Sequence, residues 1–299
     1  MLKGLAITPP VLGRISIGRV VEKNGKRLPE KDDQFTITSQ VQTRDGWLLH
    51  PLNDDLRQEQ EGKLRSIPIR LLFNEPELNF RADYSLFDRS TGRPLCVGNG
   101  ETCKRQTESG IQSLPCPSPD SCPLAQGKAC KPYARLNVQI GDDDSMGSFV
   151  FRTTGFNSIR TLTARLNYLK AISNDMLSCM PLELRLRGKS TRMSRGTPIF
   201  YADITLREGM IMEETLTATA ELHEQRVRCG FNQKALDAVA KDGLLNGTFE
   251  EDEDDISAIV EEFYPAEMKA NQDLKAHALA ERSLAEKLEN KARVQAELA

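Results

Sequence analysis

Residues 135–172, RLNVQIGDDDSMGSFVFRTTGFNSIRTLTARLNYLKAI, change hydrophobic period once, and that change sets the fold class. Leu136, Val138 and Ile140 alternate with polar neighbours, GDDDSMG (141–147) is a turn, and SFVFRTT (148–154) is the returning strand of a hairpin. From Ser158 the period becomes helical. Ile159, Leu162, Leu166, Leu169 and Ile172 fall on one face, with Asn157 or Ser158 placed to cap the first turn. Arg160, Arg165 and Lys170 lie off that stripe, so one side of the helix packs and the rest carries cations.

The same reading extends in both directions. Downstream, Leu182–Arg187 is strict period two and Phe200, Ala202, Ile204 and Leu206 repeat it, which predicts two antiparallel strands around a basic connector with Lys189, Arg192 and Arg195. Upstream, strands are expected near 15–21, 35–41, 47–49, 67–73 and 82–87, with the polar stretch 52–65 a loop or short exposed helix and Trp47 in the core. The class is therefore α+β: a mainly antiparallel β body, a Cys-rich zinc loop, one amphipathic helix packed on the sheet, and a helical C-terminal tail. The expected division is a β-rich core over 1–208 that includes the loop 95–132, a helical extension over 209–248 with a short helix ended by Gly243, an acidic linker over 249–265, and a solvated helix over 266–299. That last stretch is built almost wholly of Ala, Glu, Lys, Leu, Asn and Arg.

The loop LCVGNGETCKRQTESGIQSLPCPSPDSCPLAQGKACKP (95–132) has no apolar periodicity and holds five of the seven cysteines. Fixing such a chain costs roughly 1–2 kcal/mol of backbone entropy per residue, and no hydrophobic face is there to offset it. Thiolates on Zn2+ can, since structural zinc contributes on the order of 10–16 kcal/mol of apparent folding free energy. A disulfide framework needs an oxidising compartment, and MLKGLAITPPVLGRIS has no basic segment followed by an apolar run and cleavage site, so the expectation is a cytoplasmic protein. Cys96, Cys116, Cys122 and Cys130 lie within two residues of Gly or Pro at turns and are the expected ligands. Cys103, in ETCKR, lacks such neighbours and is the spare candidate. The spacing is not the paired C-x2-C of a zinc ribbon, and reduced, unliganded thiols on a surface loop are the alternative. Cys179 and Cys229, outside the loop, read as ordinary small thiols.

Charge is distributed unevenly. The net charge is −3, yet residues 249–299 hold fourteen acidic and six basic side chains, while 152–207 holds ten basic and three acidic. A basic surface through Arg160, Arg165, Lys170, Arg185, Arg187, Lys189, Arg192 and Arg195 is a candidate for nucleic acid or a protein partner, and an acidic tail could compete for it. No apolar run reaches the ~18 residues of a membrane span. There is no H-E-x-x-H, G-x-S-x-G, Walker A or zinc-deaminase motif, and a zinc held by four thiolates has no position for water.

Cys96-Val97-Gly98, Cys116-Pro117, Cys122-Pro123-Leu124, Cys130-Lys131-Pro132, Arg135-Leu136-Asn137-Val138 and Thr153-Thr154-Gly155-Phe156-Asn157-Ser158, followed by Pro181-Leu182, form a block over roughly 67–190. The block resembles the recombination directionality factors of phages and integrative elements, which partner large serine integrases. It also resembles conjugative-element proteins loosely labelled hydrolase or metal-binding. Cys103 and the acidic tail depart from the family pattern. The resemblance implies a non-enzymatic accessory that binds a DNA-bound site-specific recombinase and turns it from integration to excision. The alternatives are a nucleic-acid-binding protein of mobile-element replication or homologous recombination, and a metal-dependent hydrolase.

Overall fold

The computed structural model describes residues 10–23, 26–43, 46–60, 62–142, 146–190, 198–246 and Ile259. The acidic linker over 249–265, Ile259 aside, and the tail over 266–299 lie outside them. Among the described residues, twelve strands form the sheet: β1 Val11–Lys23, β2 Lys26–Thr43, β3 Gly46–Leu49, β4 Ser66–Arg70, β5 Phe80–Phe87, β6 Pro94–Gly98, β7 Thr102–Thr107, β8 Gly110–Pro115, β9 Lys131–Ile140, β10 Ser148–Thr153, β11 Leu182–Lys189 and β12 Ile199–Leu206. The α-helices are α1 Pro51–Glu59, α2 Pro76–Asn79, α3 Ser118–Ser121, α4 Phe156–Ile172, α5 Met212–Arg228 and α6 Gln233–Asn246. The main path runs β3-β2-β1-β10-β9-β5-β6-β7-β8, while β4 joins β9 to β11 and β11 pairs with β12.

Strand β9 is the branch point. Its Lys131–Leu136 half pairs with β5, and its end at Gln139 and Ile140 pairs with β4. The expected hairpin is β9–β10, antiparallel, with Leu136 opposite Phe151 and Val138 opposite Phe149. Register carries the row on: Phe80 faces Leu136, Leu136 faces Phe151, Phe151 faces Ile15 on the parallel neighbour β1, and Ile15 faces Ile37. All five are buried. Helix α4 lies on this core through Ile159, Leu162, Leu166 and Leu169. Each such leucine stabilises the fold by about 1.5–3 kcal/mol through apolar area removed from water.

Several expectations change. Helix α4 begins at Phe156 with Gly155 as its N-cap, and neither Asn157 nor Ser158 caps it. Ser158 is buried instead, and its Oγ accepts the Ala202 amide of β12 at 3.1 Å. Gly243 lies inside α6, because one glycine lowers helix propensity by only about 1 kcal/mol. Trp47 is half-buried, stacked 3.6 Å from the Arg14 guanidinium. Helix α1 occupies most of the polar stretch expected as a loop or short exposed helix, and α5 and α6 lie in the stretch expected to be helical beyond 208.

The main correction concerns 95–132. The stretch is not one continuous loop: β6, β7 and β8 run through its first half as a meander at one end of the sheet. Antiparallel pairing satisfies backbone groups without any apolar alternation, provided the turns are right. Here Asn99 Oδ1 accepts the amides of Glu101 and Thr102, each at 2.9 Å, and Gly100 and Gly110 take φ +100° and +102°. The described residues up to Leu86 and from Leu95 to Asn246 belong to one compact unit, and those of Phe87–Pro94 with Ile259 to a second. In the second, the Asp88 carboxylate closes a turn by accepting from Ser90 and Thr91. No described helix is long and apolar enough to cross a membrane.

Candidate functional site

The β6–β7 hairpin brings the first two thiols together. Gly98 sits opposite Cys103, where a Cβ would come within 2.6 Å of the Cys103 Cβ, so only glycine permits this approach. Cys96 sits opposite Arg105 on the same face. Both cysteines are buried with Leu86, and Leu95, Leu114, Cys116, Ala129 and Cys130 pack half-buried against them. Strand β8 delivers Cys116, whose amide donates to Glu101 O at 2.8 Å. Cys122 joins α3 to the 3-10 turn Pro123–Lys128, and Cys130 immediately precedes β9.

Cys130 lies within electrostatic reach of the other four thiols of the stretch. Burial, followed by the charges of Cys96, Cys122, Cys116 and Cys103, pushes the Cys130 thiol up to about 12. Burial, then a hydrogen bond and charge shared with Cys96, pushes Cys103 up to about 11, against the pull of Arg105. Arg105 is itself raised, chiefly by its hydrogen bond to Cys96. Its Nη2 also donates to Cys103 Sγ at 3.8 Å. Gathered thiols are a donor set suited to a soft divalent cation, which would hold them as thiolates. Among the described residues, however, no group of three or more His, Cys, Asp or Glu is already poised to hold a metal ion. Cys116, Cys122 and Cys130 lie at turns between elements as expected, but Cys96 is within β6 and is a neighbour of Cys103 on β7. Of the histidines, His50 accepts the Leu52 amide at the start of α1, His223 is half-buried on α5, and His277 lies outside the described residues.

The cations proposed from sequence are placed differently. Arg165 and Arg187 both donate to the buried carboxylate of Asp203, at 3.0 and 2.9 Å. Arg185 pairs with buried Glu183, which also accepts from Thr205 Oγ1 and the Glu208 amide. Lys170 reaches Glu75 at 2.5 Å, and Lys189 donates to Asn157 at 2.7 Å. Arg160 is exposed on α4; Arg192 and Arg195 lie outside the described residues. Much of the cationic surface is thus engaged within the molecule.

Two features escaped sequence reading. Register sets Arg81, Arg135 and Arg152 side by side across β5, β9 and β10, where like charges directly opposite destabilise a sheet. Nearby Asp83 is pushed up by burial and pulled down by Arg81 and Arg135. The second is a cleft of about 620 Å³ between α4 (Thr163, Asn167) and the meander face bearing Val97, Lys104 and Ser113. Only strand register reveals either.

Comparisons with curated proteins and with solved structures each return no match. The model of the Gp3-like, recombination directionality factor-like family matches residues 12–207, from β1 through β12 and including the thiol cluster and α4, and the chain belongs to that family.

Proposed function

We propose that this protein is a non-enzymatic accessory of a mobile element that binds a DNA-bound site-specific recombinase and changes which recombination product forms. The observation that carries this reading is the family match over the sheet, thiol cluster and α4. The internal pairing of Arg165, Arg185, Arg187 and Lys170 adds support, since it favours recognition through protein contact over a phosphate-binding face along 160–195. The mechanism is a population shift. A protein that binds one recombinase arrangement better changes its share, and driving a 1:99 ratio to 99:1 takes about 10⁴-fold preferential binding.

Zinc belongs to the same proposal, with Cys96, Cys116, Cys122 and Cys130 as ligands and Cys103 as the fifth candidate. When bound there, the metal supplies a structural cross-link between β6, the 116–122 segment and the start of β9, not a catalytic water. The chain's own part is to bring the thiols together: Gly98 allows the close approach, and Leu86, Leu95 and Leu114 pack around Cys96 and Cys103.

The test is capture of the cognate recombinase by the purified protein, followed by integration and excision assays. The expected result is suppressed integration and stimulated excision. A recombinase unaffected in both directions would end the reading. The row Arg81–Arg135–Arg152 favours a second reading, DNA contact. That reading predicts oligonucleotide binding that weakens steeply as salt rises.

A further inference from the structure

Strand β7 carries Cys103 and Arg105 two residues apart, so both point to one face, and register sets Cys96 of β6 opposite Arg105. An arginine therefore stands among the thiols. Its hydrogen-bond partners are sulfur: the Cys96 thiol, and Cys103 Sγ at 3.8 Å from Nη2. Arg105 Nε is buried and, among the described residues, has no acceptor. The ordinary partner of an arginine is a carboxylate or water, and a neutral thiol is a weak acceptor beside either.

Charge points the same way. The hydrogen bond to Cys96 does most to raise Arg105, burial opposes it, and the charges of Cys96, Cys103 and Cys122 add to the rise. Cys96 and Cys122 are expected zinc ligands. Zinc with four thiolates carries negative charge in excess, and half-burying such a group calls for a counter-charge or hydrogen bonds to sulfur. Cys103 has a place in the same arrangement. Its Sγ accepts from Arg105 and donates to Pro115 O at 3.8 Å, immediately before Cys116, so the fifth cysteine braces the segment without joining the ligand set.

We propose that Arg105 is a positioning residue for zinc: from β7 it donates to the Cys96 sulfur and offsets part of the thiolates' negative charge, without itself being a ligand. Groups that hydrogen-bond metal ligands typically carry about 10–100-fold of a site's affinity. The inference rests on the zinc proposal and adds the residue that tunes the thiols for it.

Two measurements on the full chain test it: zinc affinity by competition with a chromophoric chelator, and the sulfur-to-cobalt charge-transfer band after Co2+ replaces zinc. Arg105→Gln should weaken zinc binding by about 10–100-fold and shift the band, with stoichiometric metal still taken up at saturation. Arg105→Lys keeps the charge and loses the fork of donors, so its affinity should fall less while its band also shifts. Lys104→Gln removes the same charge from the opposite face of β7 and should match the wild type in both readouts. Wild-type affinity with an unmoved band in Arg105→Gln would overturn the role of Arg105 alone, and should that variant fail to fold, the same result in Arg105→Lys would do so. A loss in Lys104→Gln equal to that in Arg105→Gln would overturn it as well, as an effect of net charge. No stoichiometric zinc in the wild-type chain would overturn the zinc proposal and this role with it.

Discussion

The five-strand row Phe80–Leu136–Phe151–Ile15–Ile37 and the β6–β7–β8 meander belong to one sheet yet are held by different forces. The row is buried under α4, and its stability follows from apolar area. The meander has a small cluster of Leu86, Cys96 and Cys103 with half-buried neighbours, and its last strand is largely exposed. Burial makes the first region insensitive to ligands. Thin burial leaves the second more dependent on its turns.

Cysteine replacement should break this comparison most strongly. Cys116→Ser or Cys122→Ser is expected to abolish stoichiometric zinc and remove exchange protection over 95–132, while protection in the β9–β10 core persists. Cys103→Ser should retain the metal. Elemental analysis with hydrogen exchange checks both, and equal zinc loss in all three would place Cys103 among the ligands. Zinc occupancy should also fall with falling pH, because the thiolates must compete with protons.

Leu166→Ala is the reciprocal experiment. Leu166 is fully buried in the core under α4. Its truncation should cost about 2–5 kcal/mol in denaturant unfolding, with zinc content unchanged. A loss of zinc there would mean that the two regions are coupled.

Asp203→Ala should cost less, about 1–3 kcal/mol, since it strands Arg165 and Arg187, whose half-exposed guanidiniums can turn to water. The same variant should raise salt-sensitive oligonucleotide binding by freeing two cations. Unchanged binding would show that this face does not meet DNA.

The smallest effect is at Asp88. Hydrogen bonds from Ser90 and then Thr91 hold its carboxyl down to about 2, from an ordinary value of 3.8. A depressed carboxylate stabilises the fold above its unfolded value, and that contribution is lost as pH falls toward 2. Asp88→Asn should therefore flatten the acid limb of the stability profile between about pH 4 and 2 and leave neutral pH little changed.

Much of the architecture was legible because hydrophobic period depends on local geometry. Alternation at Leu136–Ile140 and Leu182–Leu186 marked strands, and the stripe from Ile159 to Leu169 marked α4. The meander was missed for the converse reason. KRQT and GIQSLP lack an apolar face, and their pairing rests on backbone hydrogen bonds closed by Asn99, Gly100 and Gly110, which no periodicity reports. The cation surface was misjudged on similar grounds: Arg165 and Arg187 lie twenty-two residues apart, and only folding brings both onto Asp203.

The sequence by itself determined the class of fold, the crowding of five cysteines into 95–132, and the block of motifs that marks the family. These are properties of residue type and spacing along the chain. Tertiary structure alone decided which charges are engaged, that Cys103 lies beside Cys96, and that β8 is the last strand of the described sheet. Each of these depends on register between segments far apart in the chain, and register is fixed by the shared core rather than by either segment alone.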